Sequence, residues 1–318
     1  MPLNFTKMHG LGNDYVYMTG HDQDLDRYDL GKLSQMVSNR NFGVGSDGLI
    51  LILPSEIADF RMRIFNPDRS ESNMCGNGMR SCAKYVYDHG LVPGGRCHCG
   101  TMCGNGMRSC AKYVYDHGLT DKTELTFETL GGIVKPSLTV EDGKVTCITV
   151  DMGEARLARK DVPFAPGDPD TPAINEELEV DGEVVRITAV NVGNTHCVIF
   201  VDDVATAPVT TLGPKIEVHP AFPRRTNVEF IQVLDRKHVK MRVWERGAGE
   251  TLACGTGATA TCVACAVNDL TERAIQVQLP GGNLEIDWHE DNHVFMAGPA
   301  VEVYQGVLPD DFLAPALL

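Results

Sequence analysis

Two stretches decide the fold: residues 63–78, RIFNPDRSESNMCGNG, and residues 244–258, WERGAGETLACGTGA. Each runs from a short β-branched and aromatic segment into a Cys-Gly-x-Gly motif. The spacing is the same in both, since Asn66 to Cys75 is nine residues and Glu245 to Cys254 is nine. Upstream the order repeats as well: GLGND (Asn13), DGLILI and RMRIFN (Asn66) in the first half, NVGNTH (Asn194), NVEFIQV (Asn227) and KMRVWE (Glu245) in the second. Asn13 to Asn66 spans 53 residues and Asn194 to Glu245 spans 51. A shared order at shared intervals implies two similar domains facing each other, 1–153 and 154–298, with 299–318 returning to the first. The boundary falls where DMGEARLARKDVPFAPGDPD turns rich in Pro, Gly and Asp.

Working outward, short runs of β-branched and aromatic residues mark strands at 49–53, 61–65, 124–128, 144–150, 184–190, 196–201, 228–233, 239–244, 275–279, 284–288 and 293–296. Helical signals are few. They lie near 29–40 and at the two segments that open on the Cys-Gly motifs, the first ending on Gly90. The expected fold is therefore α/β in the α+β sense: in each domain a curved mixed or antiparallel sheet, or barrel, wraps a central helix with a cysteine at its N-terminus.

That placement carries chemistry. A helix N-terminus favours a thiolate through its unpaired amides and macrodipole. The glycines at 76, 78, 255 and 257 let a ligand approach the backbone and leave amides for a carboxylate. Inverting a tetrahedral carbon without a cofactor needs one group to remove the α-proton and another to return one to the opposite face. Two Cys-at-helix motifs, Cys75 and Cys254, supply such a pair, and the Gly76–Asn77 and Gly255–Thr256 segments are candidate donors to the carboxylate of the transient carbanion.

Composition narrows the alternatives. The chain has 318 residues and a formal net charge of −15, which repels phosphate backbones, and it has no basic stripe with interleaved aromatics. Nucleic acid is not expected as a partner. No apolar run is long enough for a membrane span and the start lacks a signal segment, so a cytoplasmic location is expected. Eleven cysteines then point to packing, metal or catalysis rather than to a disulfide framework. Cys82, Cys110, Cys147, Cys197, Cys262 and Cys265 read as packing residues. Arg96-Cys97-His98-Cys99 resembles half a zinc site, but Cys-x-Cys lacks the usual spacing and no second ligand pair lies near, so no metal is expected. The GAGETLACGTG glycines do not open a βαβ unit and do not indicate a nucleotide.

Together KMHGLGND (7–14), GVGSDGL (43–49), RIFNPDRSESNMCGNG (63–78), GNTHCV (193–198), RTNVEF (225–230), WERGAGETLACGTGA (244–258), LPGGNLEI (279–286) and GPAVEVYQG (298–306) resemble diaminopimelate epimerase. The resemblance implies that Cys75 and Cys254 are the alternating acid and base, with His196 and Glu245 tuning them. It implies that Asn13, Asn66, Asn77, Asn194, Asn227, Glu245, Arg246 and Thr256, with the amides at Gly76 and Gly255, bind the substrate. The implied reaction interconverts LL- and meso-diaminopimelate for lysine and peptidoglycan synthesis and needs no pyridoxal phosphate or metal; a homodimer is a further expectation. The other readings are a proline or hydroxyproline racemase, and an inactive relative acting as a binding or redox protein.

Two departures from the family pattern stand out. Gly48 follows Asp47 where some relatives carry a substrate-touching Gln, and Arg69 replaces a glycine expected after Asn-Pro-Asp, which strains the turn if it needs φ > 0. A larger anomaly is literal: residues 74–91, MCGNGMRSCAKYVYDHGL, recur unchanged at 102–119, an offset of 102 − 74 = 28. Identity at surface-type positions is not demanded by folding, so this reads as a recent tandem duplication or an error in the gene sequence. Because the flank FNPDRSESN is continuous only with Cys75, the expectation is that Cys75 rather than Cys103 works, with 92–119 extruded as a surface segment carrying a spare helix.

Overall fold

The computed structural model describes residues 2–72, 104–165 and 167–318. Their contacts divide them into two compact units, one of 2–72, 104–150 and 299–318, the other of 151–165 and 167–298.

In the first unit the hairpin β1 (Leu3–Gly10) and β2 (Asn13–Thr19) is closed by Leu11 and Gly12, both at positive φ, 56° and 88°. Two left-handed residues in a two-residue loop match the right-handed twist of the strands they join. From β2 the chain passes through α1 (Leu30–Ser38) to β3 (Leu49–Leu53), which pairs parallel to β2. Asp29 caps α1, accepting from the Lys32 amide at 2.9 Å. Strand β4 (Phe60–Phe65) pairs antiparallel to β3 and to the short β5 (Glu71–Ser72). Helix α2 (Gly104–Asp116) follows, then β6 (Phe127–Thr129) parallel to β4 and β7 (Gly132–Val134) antiparallel to β6. Strand β19 (Val301–Leu308) returns to pair with β1, and α5 (Asp310–Leu313) follows it. The hairpin of β8 (Ser137–Glu141) and β9 (Lys144–Glu154) leads the chain into the second unit.

The second unit repeats the same plan. Strand β10 (Glu176–Val180) flanks the antiparallel pair β11 (Glu183–Asn191) and β12 (Thr195–Phe200). Helix α3 (Val209–Glu217) leads to β13 (Asn227–Val233), parallel to β12, and β14 (His238–Glu245) returns antiparallel with the short β15 (Gly249–Thr251) on its edge. Helix α4 (Gly255–Val267) precedes β16 (Ala274–Leu279), parallel to β14, and β17 (Gly282–Trp288) and β18 (His293–Gly298) follow antiparallel. From β11 through β14 to β16 and β17 the antiparallel and parallel pairings follow the same order as from β1 through β4 to β6 and β7. The two similar α/β units, each a mixed sheet with few helices, are as the weak repeat predicts.

Helix α4 is buried almost all round, from Gly257 through Cys265, by strands β11, β12, β13, β16, β17 and β18. Its run of Ala, Thr, Gly and Cys is what a helix needs when neighbours enclose it closely. Helix α2 packs on β1, β2 and β19, and Gly10 lets it approach, since a Cβ there would lie 3.1 Å from the Asn105 Cβ.

Here the structure corrects one expectation. Residues 104–116 are not part of an extruded surface segment: Met107, Arg108, Ser109, Cys110, Ala111 and Val114 are fully buried. The second copy of the repeat therefore forms the central helix of its unit and ends in a Gly118 cap at φ 70°, with Leu119 N–H bonded to Val114 O at 2.9 Å. Sequence continuity with Asn66 favours the first copy, but burial of apolar surface acts on whichever copy fills the slot. Cys75, Gly76, Asn77, Cys103 and the Arg96–Cys99 motif lie outside the described residues.

Several elements escape the strand and helix signals. Strands β1, β2 and β19 are marked by length and mutual pairing more than by apolar runs, and β19 is largely exposed. Helix α3 contains Gly213 and Pro214, residues that lower helix propensity.

Candidate active site

Cys254 is the N-cap of α4, in extended backbone at φ −125° and ψ 109°, with its Sγ accepting from the Gly257 amide at 3.3 Å. The Thr256 hydroxyl lies 3.5 Å from the same sulfur. The thiol is nonetheless pushed well up, first by burial, then by Glu245 and by Glu229, with the Thr256 and Gly257 bonds opposing. Burial outweighs the helix end because a thiolate here has little water and two carboxyl neighbours.

Around it the strand ends converge. His196, at the start of β12, is fully buried between Glu229 Oε1 at 2.7 Å on Nδ1 and Asn194 Oδ1 at 2.7 Å on Nε2. Asn227, beside it on the parallel neighbour β13, donates to Thr195 O at 3.1 Å and accepts from the Arg246 amide at 2.9 Å. Glu245, at the end of β14, accepts from the Thr251 hydroxyl at 2.5 Å. Its carboxyl is raised mainly by desolvation and further by Glu229, while Thr251, His196 and Cys254 pull the other way. The Arg246 guanidinium donates to Arg224 O at 2.9 Å. The structure thus brings Asn194, His196, Asn227, Glu245, Arg246, Cys254, Gly255 and Thr256 of the second unit into one neighbourhood.

In the first unit Asn13, directly after the tight hairpin turn, donates to Asp47 Oδ2 at 2.8 Å, and Asp47 also accepts from the Asp14 amide at 3.1 Å. Arg40 spans Asp14 and Asp47 at 2.8 and 2.9 Å, and Lys7 also pairs with Asp14. The Asp47 carboxyl is raised by burial and by Asp14, against the pull of Asn13 and Arg40. On α2, Asn105, the second-copy counterpart of Asn77, reaches Asn13 Oδ1 at 3.4 Å, and Arg108 donates to Asn105 Oδ1 at 2.9 Å and to Pro299 O at 3.3 Å. Asn66 is buried at the end of β4, with Nδ2 on Ser70 Oγ at 2.8 Å and Oδ1 without a hydrogen-bond partner among the described residues.

The two departures resolve differently. Arg69 does sit at φ 76°, in the region that favours glycine. Gly48 has no room for a side chain, because a Cβ would lie 2.5 Å from Phe65 O and 3.0 Å from the Tyr15 ring, so a Gln cannot simply be added there. Among the other cysteines, Cys110, Cys197, Cys262 and Cys265 are fully buried and burial raises the thiols of the last three, Cys265 to about 12. They are packing residues, whereas Cys147 is half-buried and Cys82 lies outside the described residues.

Sequence reasoning missed Glu229, Asp47 and Arg108. Glu229 was detectable as a lone charged residue inside the apolar run NVEFIQV, where an unpartnered charge would be costly. Arg108 carried no such signal, since an Arg in an amphipathic helix ordinarily faces water. Among the described residues no group of His, Cys, Asp and Glu is arranged to hold a metal ion, and no helix is long and apolar enough to cross a membrane.

Comparison with known proteins bears on the whole chain. Diaminopimelate epimerase of Moorella thermoacetica is 50% identical over 310 residues, covering 97% of this chain and all of the relative, and that of Heliobacterium modesticaldum is 48% identical over 310 residues, covering 96% and 100%. Among solved structures, a hydroxyproline epimerase from Agrobacterium vitis with bound trans-4-hydroxy-L-proline superposes at a TM-score of 0.63 with 13% identity, covering 98% of this chain and 93% of that one. A PhzF-family phenazine biosynthesis protein from Bacillus anthracis does so at 0.59 with 16% identity, covering 97% and 99%. These establish a common fold. The family described as Diaminopimelate epimerase matches residues 5–101, 97–158 and 188–303, the first two matches overlapping at 97–101 between the two copies of the repeat, and the chain belongs to that family.

Proposed function

We propose that this chain is an amino-acid epimerase that interconverts LL- and meso-diaminopimelate, a small-molecule substrate of lysine and peptidoglycan precursor synthesis, by proton transfer between two thiols. The observation that carries the proposal is Cys254 at the N-cap of the buried helix α4, ringed by His196, Glu229 and Glu245, in a chain of this family. One thiol removes the α-proton as thiolate and the other donates to the opposite face, so the two change roles with reaction direction. Backbone amides at Gly255 and Thr256 stabilise the carboxylate as negative charge develops. Asn66, with a buried acceptor atom to spare, and Asn13, Asn194, Asn227 and Arg246 bind the amino and carboxylate groups. Proton transfer between thiols requires neither pyridoxal phosphate nor a metal.

For the partner thiol of the first unit we propose Cys103. What supports it is that Gly104–Asp116 forms the buried helix in the slot between β5 and β6 that Gly255–Val267 fills between β15 and β16, and that Cys103 immediately precedes it as Cys254 precedes α4. Asn105 then takes the part first read for Asn77, and Gly104 that for Gly76. Cytoplasmic residence, expected from the sequence, and a homodimer belong to the same proposal.

Incubation of meso-diaminopimelate in D2O with the purified chain tests this: deuterium should enter the α-position, none should enter proline, and Cys254→Ala should abolish exchange. Cys103→Ala should do the same while Cys75→Ala should not. Exchange into proline alone would favour the racemase reading, and none into either amino acid would leave a binding protein.

A further inference from the structure

The side chain of Glu229 is wholly enclosed between β12 and α4, yet its carboxyl group is only partly satisfied. Oε1 is 2.7 Å from His196 Nδ1, and Oε2 has no hydrogen-bond partner among the described residues. A buried carboxyl with an orphaned oxygen is costly, and such groups persist where the chemistry uses them. The fold also keeps space for it. A Cβ at Gly257 would lie 2.9 Å from Glu229 Oε1 and 2.8 Å from Met241 Cε, so the second glycine of Cys254-Gly-Thr-Gly admits this group beside the first turn of α4.

Resting on the epimerase reading above, we propose that Glu229 is a positioning residue. It aims the His196 ring through Nδ1 and sets its carboxyl group beside Cys254 at the head of α4, so that Cys254 holds its proton until the half-reaction in which it is the donor. The groups that face this cluster are His196 and Cys197 from β12, Glu229 from β13, Glu245 from β14 and Cys254 from the head of α4. Both carboxyls push the Cys254 thiol up, and Glu229 also raises Glu245. With Asn194 held on Nε2, the His196 ring has a fixed plane from which neither nitrogen can turn away without losing a bond.

Glu229→Gln keeps the shape and removes the charge. Two readouts are followed from pH 5 to the highest pH at which the full chain stays folded: the kcat profile with meso-diaminopimelate, and the rate at which iodoacetamide alkylates Cys254, measured by peptide mass spectrometry, a limb that only begins by that pH being placed by its onset. A donor thiol must start protonated, so its ionisation sets the alkaline limb. Removing a neighbouring negative charge eases that ionisation, and both the alkaline limb and the alkylation midpoint should move to lower pH by on the order of one unit. KM should change little while kcat falls. Glu229→Asp retains the charge but withdraws it from Nδ1, so kcat should fall with the limb in place, and this variant carries the test if the Gln variant does not fold. Unmoved midpoints in Glu229→Gln would overturn the proposal even if kcat dropped, since lost packing alone lowers rate without moving a titration. If the wild-type chain exchanges no α-proton, the epimerase reading fails, and the alkylation midpoint still decides whether Glu229 acts on Cys254.

Discussion

At the residue scale, strain and bonding trade against each other at positions the chemistry does not touch. Arg69 is held at φ 76°, which for a residue with a Cβ costs roughly 1–2 kcal/mol. Its guanidinium meets Asp29 at 2.6 Å, but both side chains are more than a third exposed, and such a pair returns about 0.2–1 kcal/mol. Strain outweighs the pair, so Arg69→Gly should raise stability by up to about 1 kcal/mol, read as a higher urea midpoint at unchanged slope; a lower midpoint would mean that the Asp29 contact matters more than the backbone. Cys254 shows the same kind of contest with the opposite stakes. Burial and two carboxyls oppose its thiolate, the helix end and Thr256 favour it, and on balance the thiol is pushed well up.

At the element scale the decisive part is a helix with two identical candidates. From Ser72 to Gly104 the chain advances 32 residues; subtracting the 28 of the repeat leaves 4, the same as from Thr251 to Gly255. Lengthening a closed connection from about four residues to eight times that length costs about 2 kcal/mol in loop-closure entropy. Deleting either 74–101 or 92–119 gives one and the same 290-residue chain (318 − 28). This shorter chain should be more stable by about that amount and at least as active, as chemical denaturation and the exchange assay would show. Because Val114 is fully buried, Val114→Asp should cost about 3 kcal/mol or more, whereas Val86→Asp at the matching place in the first copy should cost little. Equal losses from the two would mean that either segment can fill the slot between β5 and β6.

Across the whole molecule, stability should follow pH from both sides. Asp29, Asp59 and Asp235 are held below their ordinary value of 3.8, chiefly by the Lys32 amide, by Lys122 and by the Lys237 amide in turn. A carboxyl depressed on folding contributes stability that is present above its unfolded value and lost as pH falls through the folded one. His293, bonded to Asp151, is raised above 6.5, so its contribution is complete below 6.5 and is lost as pH rises through the higher folded value. Urea midpoints taken from pH 2.5 to 8.5 should therefore fall steeply below about 4 and decline gently above neutrality. Asp151→Asn should remove the alkaline decline and leave the acid one; persistence of both would exclude His293 as its source.

The sequence alone determined the family, the doubled plan and most of the second-unit site, because these depend on local order: a Cys-Gly-x-Gly at a helix start, a nine-residue interval, polar residues at strand ends. Cys254, and Glu245 nine residues before it, are legible in that way, while Asn194, His196 and Asn227 are legible through the family resemblance. Asp47 and Arg108 were not, since Asp47 meets Asn13 from 34 residues away and Arg108 looks like any exposed helical Arg until α2 packs on β1 and buries it. Nor could the sequence choose between two identical segments. Their propensities, caps and hydrophobic faces are the same letter for letter, and the choice falls to the tertiary structure, in which Met107, Cys110, Ala111 and Val114 of the second copy are fully buried.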